Sequence, residues 1–207
     1  MKNIAVFASG RGSNFQAINK HIKSGNIPAR VVCVISDKAN PPVFDKARQD
    51  NINTHYINRK QFKKEQEYAN FLLRILQKYN TDLIVLAGYL KLIPAQIVRK
   101  FRHAILNIHP ALLPKFGGKG YYGSRVHEAV LKADEKESGA TVHFVDEIYD
   151  NGLIIKQDKV PVKPDDTPHT LADRVLEVEH QIFPEVVKAF CEDRIQIKNN
   201  GVEIKDE

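Results

Sequence analysis

An amide and an imidazole stand two positions apart in the run Asn-Ile-His-Pro at residues 107–110. The apolar residues before them predict a buried strand, and side chains two positions apart on a strand point to the same face. Asn107 can donate a hydrogen bond to a developing oxyanion, and His109 can act as an acid or a base near neutral pH. The pair therefore suits acyl transfer, although a buried structural histidine would equally explain His109 alone.

Acidic side chains that could assist His109 follow the next predicted strand, at Asp146, Glu147 and Asp150. A carboxylate beside an imidazole favours the charged ring, so we expect such a partner to raise the pKa of His109. The residues alone do not choose among the three acids, and each could also be a solvated loop charge.

A second candidate site is the run Ser-Gly-Arg-Gly-Ser-Asn at residues 9–14, between the first predicted strand and the first predicted helix. Gly10 and Gly12 allow a tight turn and a close backbone approach to a ligand. The helix N-terminus offers N–H groups to an anion, and Ser13 and Asn14 can donate hydrogen bonds or cap the helix. We predict a phosphate site here, with a simple capped turn as the alternative. The third glycine of the dinucleotide motif and the P-loop lysine are both missing.

These candidates must be positioned by an alternation of strands and helices in the first half of the chain. The predicted strands are residues 4–8, 31–35, 54–57, 83–87 and 105–108. The predicted helices are residues 14–24, 42–50, 61–79 and 94–101. This rhythm predicts an α/β fold, Rossmann-like, with a mostly parallel twisted sheet and helices on both faces. In such sheets ligands bind at the carboxyl ends of the strands.

The pattern changes after residue 110, where a glycine-rich loop at 111–123 precedes further elements. They are a helix at 126–132, strands at 140–145 and 153–162, a helix at 167–190 and a hairpin at 195–204 around Asn199-Asn200-Gly201. No linker or repeat interrupts the chain, so we predict one domain over 1–207. Within it, residues 1–100 form a phosphate- or nucleotide-binding half, 101–194 a catalytic half and 195–207 a hairpin and tail.

Composition limits the class of protein. The chain has 207 residues, 43% of them hydrophobic, and a net charge of +6. Its Lys and Arg residues are scattered, which disfavours nucleic acid and suits a small anionic substrate. The longest apolar run, 83–90, is far shorter than the roughly 20 residues of a membrane span, and the apolar start breaks too early for a signal peptide. We expect a cytoplasmic protein with no membrane, metal or nucleic-acid partner, and two reduced cysteines.

Four blocks of the sequence resemble the folate-dependent formyltransferases, in the same order and over nearly the whole chain. They are residues 12–14, 86–93, 106–114 and 143–152. The block at 107–114, Asn-Ile-His-Pro-Ala-Leu-Leu-Pro, is specific to that family, and the early Gly-Ser-Asn narrows the match to the phosphoribosylglycinamide formyltransferases. The resemblance implies a formyltransferase fold that moves the formyl group of 10-formyltetrahydrofolate to the amine of phosphoribosylglycinamide, in purine (IMP) biosynthesis. It implies no metal, and a monomer or weak homodimer.

The resemblance also implies roles for individual residues. The ribonucleotide is bound through its phosphate or its amine end by Gly12, Ser13, Asn14 and Glu179. The folate is bound by Leu90, Lys91, Leu92, Ile93, Asn107 and Lys64, the last beside Glu65, on which the ungapped match falls. Asn107 contacts the formyl oxygen, His109 is the catalytic acid, and Asp150 raises its pKa and shuttles protons. The resemblance thus makes residues 101–194 the catalytic and folate-binding half of the chain. The glycine-rich run at 115–124 is longer than in some members and is expected to border the substrate.

Other functions share parts of this pattern. Methionyl-tRNA formyltransferase, formyltetrahydrofolate hydrolase and sugar-nucleotide formyltransferases resemble the chain around 107–114. The first normally has a further C-terminal domain, for which the 17 residues after Phe190 are too few, and the hydrolase normally has an N-terminal regulatory domain. A non-catalytic protein that senses a phosphorylated metabolite would keep the loop at 9–14. It would not need Asn107, His109 and Asp150 together.

Overall fold

The structure is a computed structural model that describes residues 1–198 and 201–206. The strands are β1 (Lys2–Phe7), β2 (Ala29–Ser36), β3 (Asn53–Tyr56), β4 (Leu83–Leu86), β5 (Ile105–His109), β6 (Glu137–Phe144), β7 (Ile154–Pro161), β8 (Ile195–Lys198) and β9 (Gly201–Ile204). The α-helices are α1 (Ser13–Lys23), α2 (Pro42–Gln49), α3 (Glu65–Lys78), α4 (Ala95–Lys100), α5 (Ser124–Lys132) and α6 (Pro168–Cys191).

Seven strands form one sheet in the order β3-β2-β1-β4-β5-β6-β7. β1 pairs in parallel with β2 and with β4, and β2 pairs in parallel with β3. β7 runs antiparallel to β6. The predicted α/β class with a mostly parallel sheet is therefore confirmed. β8 and β9 pair antiparallel as a separate ladder, and Asn199 and Asn200 of the predicted hairpin turn lie outside the described residues.

The chain consists of two compact units, unit 1 (Met1–Leu106) and unit 2 (Asn107–Glu207). In unit 1 the last four residues of β1 and all of β4 are buried, as expected of parallel strands covered on both faces. In unit 2 every residue of β6 after Glu137 is buried, and α6 contributes Leu171, Val175 and Phe183 to the core. The single domain and its proposed halves stay predictions.

The long helix predicted at 61–79 is shorter in the structure, where α3 spans Glu65–Lys78. Phe62 has an extended backbone that follows a short 3₁₀ turn, and its ring packs against Tyr68 rather than continuing the apolar face of the helix. Glu65 and Glu67 occupy the first turn, where carboxylates stabilise the positive end of the helix. The apolar period alone therefore placed the helix start too early.

β6 begins at Glu137, three residues before its predicted start at 140. Gly139 makes the early start possible, because a Cβ atom there would lie 2.0 Å from the Asp158 carbonyl oxygen on β7. Ser138 is buried in the same stretch, with 2% of its surface exposed. A polar Glu-Ser-Gly run does not resemble a strand, but its glycine allows the neighbouring backbone to approach closely.

Two further findings concern expectations from composition. Cys33 and Cys191 are both buried, and burial raises the pKa of the Cys33 thiol to about 12, so it is no nucleophile at neutral pH. Within residues 1–198 and 201–206, no helix combines the length and the apolar character that crossing a membrane requires.

Candidate active site

β5 carries Asn107 and His109, the amide and the imidazole that could act in acyl transfer. Ile105, Leu106 and Ile108 are buried apolar residues of this strand. Between them Asn107 is half-buried, and His109 ends the strand with only 4% of its surface exposed. Because buried polar groups are costly without partners, the contacts of these two side chains define the site.

Both ring nitrogens of His109 face oxygen atoms. Nε2 lies 2.8 Å from the backbone carbonyl oxygen of Phe116, and Nδ1 lies 3.5 Å from Oδ2 of Asp150. Since a carbonyl oxygen only accepts, Nε2 carries a proton and donates it to Phe116. In the neutral ring Nδ1 then has no proton to give, which agrees with its longer separation from the carboxylate.

The structure corrects the expected ionisation of His109. Burial lowers the pKa of His109 below its ordinary value, and it outweighs the Asp150 carboxylate and the Phe116 carbonyl, which both act to raise it. The charge of His143 acts in the same direction as burial. Asp150 thus has the predicted effect, but the predicted net rise is wrong for the chain without substrates, and the neutral ring is favoured.

Asp150 is the acid that the structure selects from the three candidates. Its backbone has a left-handed φ of 53°, and Oδ2 accepts the backbone N–H of Gly118 at 2.9 Å. Oδ1 lies 3.4 Å from the amide nitrogen of Asn107. Burial acts to raise the pKa of Asp150, but three influences together lower it: a hydrogen bond from His143 when that ring is protonated, the charge of a protonated His109, and the backbone N–H of Gly118. Asp150 is therefore an ionised acceptor.

The other two candidate acids lie in the loop before Asp150. Asp146 closes its own loop, where it accepts the backbone N–H of Ile148 at 2.8 Å and the side-chain amide of Asn151 at 2.7 Å. Glu147 is exposed. Their geometry fits loop residues rather than partners of the imidazole.

His143 is a further member of the network, to which the sequence argument assigned no role. Its Nδ1 lies 2.7 Å from the carbonyl oxygen of Phe144, so Nδ1 is the protonated donor. Nε2 is then the acceptor in the neutral ring, and it lies 3.0 Å from the amide nitrogen of Asn107. The contact fixes which end of the Asn107 amide points toward His143 and Asp150. The sequence offers one signal for His143: it lies two positions after Thr141 on β6, so the two polar side chains share one face of a buried strand.

The loop at 9–14 lies in unit 1, and its shape depends on the backbone conformation of Gly12. Gly12 is the N-cap of α1 with a left-handed φ of 72°, and a Cβ atom there would lie 2.4 Å from Cγ2 of Val43. The expectation that Ser13 or Asn14 caps the helix is wrong, because α1 starts at Ser13 and has no side-chain cap hydrogen bond. Gly12 itself takes the N-cap position, and glycine has no side chain that could cap the helix. The helix end therefore presents backbone N–H groups of the kind that bind phosphate.

The residues assigned to folate by resemblance, apart from Asn107 on β5, lie in unit 1 in two segments. Leu90 and Leu92 expose 45% and 42% of their surface, whereas Ile93 is buried. Lys91 is exposed, and so are Lys64 and Glu65 at the start of α3. In unit 2, Glu179 is buried on α6. The contacts of these residues with substrates stay predictions.

Comparison with known proteins shows the family to which the chain belongs. The formyl transferase family model matches residues 2–187, and the chain belongs to that family. A phosphoribosylglycinamide formyltransferase of Haemophilus influenzae is 42% identical over 200 residues, which are 97% of this chain and 92% of that protein. A chloroplastic protein of the same name from Vigna unguiculata is 44% identical over 201 residues, 97% of this chain, but the chain spans only 64% of its length.

A solved structure gives the same result for the fold. Glycinamide ribonucleotide transformylase 1 from Symbiobacterium toebii superposes with a TM-score of 0.93 at 38% identity, covering 100% of this chain and 95% of that one. The predicted family and the predicted fold are both confirmed.

Proposed function

We propose that this chain transfers the formyl group of 10-formyltetrahydrofolate to the amine of 5'-phosphoribosylglycinamide, giving formylglycinamide ribonucleotide and tetrahydrofolate in purine biosynthesis. The observation that carries the chemistry is the network of Asn107, His109, His143 and Asp150, in which a neutral imidazole has an ionised carboxylate at one nitrogen and a replaceable carbonyl at the other. The Gly12 turn at the start of α1 binds the phosphate of the ribonucleotide.

The first chemical step is attack of the free amine on the formyl carbon, which forms a C–N bond and an oxyanion. Two donors stabilise this charge. The Nε2–H of His109 exchanges the Phe116 carbonyl for the substrate oxygen, and Asn107 exchanges its long 3.4 Å contact with Asp150. Asn107 keeps its shorter contact with His143, so its amide stays oriented. A single donor of this type is worth about 10²–10³ in rate.

The second step moves one proton from the attacking nitrogen to the leaving folate nitrogen. The ionised Asp150 accepts the proton, directly or through a water, and passes it to the unprotonated Nδ1 of His109. His109 then releases its other proton, from Nε2, to the folate nitrogen as the C–N bond to folate breaks. Exchange with solvent moves the remaining ring proton from Nδ1 back to Nε2 and restores His109 for the next turnover. A neutral His109 therefore serves as base and acid in one turnover, and the lowered pKa of its ring suits this role.

Steady-state kinetics of His109→Ala with both substrates test the proposal. We expect kcat to fall by about 10²–10⁴, because the variant lacks both the oxyanion donor and the proton relay. His169→Ala is the matched control, since that side chain is 85% exposed. Near-normal turnover in folded His109→Ala would overturn the role given to this residue.

Absorbance of released folate separates the proposed activity from two alternatives. Release that requires both substrates supports formyl transfer. Release from formyl-folate alone would mean hydrolysis, and binding of the ribonucleotide without any release would mean a sensor protein.

The remaining parts of the proposal concern the setting of the reaction. We infer that it needs no metal, because side chains supply the oxyanion donors and the proton acceptors. We further propose a monomer or weak homodimer that acts in the cytoplasm without nucleic-acid or membrane partners, in keeping with the scattered positive charges of the sequence. Lys64, Leu90, Lys91, Leu92, Ile93 and Asn107 bind the folate, and Ser13, Asn14 and Glu179 bind the ribonucleotide.

A further inference from the structure

Ser9 joins two segments of unit 1 to which the proposed function gives different substrates. They are the loop at 9–14, proposed for the phosphate, and the segment at 88–93, which includes the residues proposed for folate. The backbone N–H of Ser9 donates to the carbonyl oxygen of Gly88 at 3.0 Å. The backbone N–H of Leu90 donates to the hydroxyl oxygen of Ser9 at a longer 3.4 Å. Ser9 therefore contacts the second segment through both its backbone and its side chain.

The residue between these two contacts, Tyr89, is fixed in the core. It exposes only 7% of its surface, and its ring stands edge-on to Phe7 of β1 with the centroids 5.2 Å apart. Its hydroxyl oxygen lies 3.2 Å from that of Tyr68 on α3. Leu90 is the next residue along the chain and exposes 45% of its surface. The direction in which Leu90 leaves the core therefore depends on the backbone contacts with Ser9.

Asp37 determines the direction of the Ser9 hydroxyl. The hydroxyl of Ser9 donates to Oδ1 of Asp37 at 2.6 Å, a length typical of a hydroxyl that donates to an ionised carboxylate. A serine hydroxyl has a single proton, so this bond uses the only donor and turns the lone pairs of the oxygen toward other partners. The N–H of Leu90 is the backbone group that takes this acceptor.

Asp37 is itself held firmly. It directly follows β2 and exposes only 4% of its surface. Its backbone carbonyl accepts from the side-chain amide of Asn58 at 2.8 Å. The next residue, Lys38, donates its backbone N–H to the hydroxyl of Ser36 at 3.1 Å. The carboxylate thus extends from a restrained turn at the end of a buried strand.

We propose that Asp37 is a positioning residue for both substrates, which acts through the Ser9 hydroxyl to hold the loop at 9–14 and the segment at 88–93 in place. This inference rests on the proposed formyl transfer, because that function assigns the phosphate to the first segment and folate to the second. Without the carboxylate, the Ser9 hydroxyl can rotate, and the start of the loop and the backbone of Leu90 lose their common support. Both substrates then bind less tightly, although Asp37 itself contacts neither.

Steady-state kinetics of the full chain with 10-formyltetrahydrofolate and phosphoribosylglycinamide test the inference. Asp37→Ala should raise the KM for each substrate about threefold to tenfold, which corresponds to the loss of one charge-assisted hydrogen bond. The kcat should stay within about threefold of that of the unaltered chain, because none of the groups assigned to the chemistry is changed. Calorimetric titration with phosphoribosylglycinamide and with tetrahydrofolate should show the same weakening of binding.

Further variants separate positioning from simple loss of stability. Ser9→Ala should reproduce the effect of Asp37→Ala, and the double variant should be no worse than either single one, because both changes break the same bond. Asp37→Asn should recover part of both affinities, since an amide oxygen can accept the Ser9 proton. Asn19→Ala is the matched control: Asn19 is 6% exposed and donates to Asp50 at the same 2.6 Å, in a contact between α1 and the end of α2. It should lower stability but leave both KM values unchanged.

Two results would overturn the inference alone. One is a rise in only one of the two KM values in both Asp37→Ala and Ser9→Ala. The other is a loss of thermal stability in these variants with both KM values unchanged, which would make the bond purely structural. Absence of turnover in the unaltered chain would instead overturn the formyl-transfer proposal, and this inference with it.

Discussion

The two regions assigned to the substrates, the loop at 9–14 in unit 1 and the histidine–aspartate network in unit 2, are built from different materials. The loop depends on backbone conformation, since its central residue, Gly12, has a left-handed φ and no room for a Cβ atom. The network depends on side chains whose protons are assigned by their neighbours. Substitutions in the loop should therefore act through the size of the new side chain and not through pH. In the network, the rate should tolerate a change in side-chain size better than a change in protonation.

Asp150→Asn should have the largest effect on the rate, because it removes the charge beside His109. It keeps the shape of the side chain, so the effect can be assigned to the charge. We expect kcat to fall by about 10²–10⁴ through loss of the proton acceptor, with little change in the KM for the ribonucleotide. Asp150 acts to raise the pKa of His109, so the acidic limb of the pH–rate profile should also move to lower pH. Steady-state kinetics across pH measure both effects.

The matched control for this variant is Asp146→Asn, which alters a carboxylate that holds only its own loop. A loss of similar size in the control would mean that loop structure, rather than the charge beside His109, explains the result. The distinction between the two regions would then lose its chemical basis.

Gly12→Ala tests the loop without changing any charge. The new Cβ atom would lie 2.4 Å from Cγ2 of Val43 in a left-handed backbone, so we expect a loss of about 1–3 kcal/mol in the free energy of unfolding. We expect the KM for the ribonucleotide to rise at least about tenfold, since one phosphate contact through a helix end is displaced. Chemical denaturation and kinetics measure the two effects.

Gly10→Ala provides the comparison, because a Cβ atom at that position has nothing within 4 Å. It should leave the free energy of unfolding nearly unchanged. Gly12→Ala combined with Val43→Ala should relieve the contact but not the backbone strain, and so recover only part of the loss. Full recovery would show that crowding alone matters, and no loss at all would remove the loop from the phosphate site.

His143→Leu tests whether orientation of Asn107 matters as well as its presence. The variant keeps the volume but removes the acceptor that holds the Asn107 amide, so we expect about a tenfold fall in kcat. The KM for the ribonucleotide should stay constant, because the loop at 9–14 keeps its backbone. A parallel loss in Asn107→Ala that is not increased by His143→Leu would show that the two residues act as one unit. Independent, additive losses would contradict the positioning role.

The sequence predicted the order of strands and helices because buried parallel strands are continuous apolar runs, as in β1 and β4. It did not predict the start of β6, since only the close approach of Asp158 explains Gly139. Residue types alone likewise could not choose Asp150 over Asp146, and only the family resemblance did so, because the choice depends on which loop residue takes a left-handed backbone beside β5 and β6.

The protonation states in the network were also beyond the sequence. The pKa of His109 depends on the balance between burial and a carboxylate, and the sequence shows that both exist but not which one prevails. The tautomer of His143 depends on the backbone carbonyl of Phe144, a contact that no side-chain pattern encodes.

The pH dependence of stability gives the smallest expected effect. Burial lowers the pKa of His109, His127 and His180 in unit 2, for His127 with help from the His109 charge. An unfolded histidine titrates near 6.5, so as pH falls below that value the unfolded chain binds protons that the folded chain does not. The stabilisation is complete above about pH 6.5 and is lost as pH falls toward the lowered folded values.

We expect the free energy of unfolding, measured in urea between about pH 7.5 and 5.5, to fall on acidification. The slope should be shallower in His127→Gln and unchanged in the exposed control His169→Gln, and equal slopes in all three proteins would show that the buried histidine does not titrate as inferred.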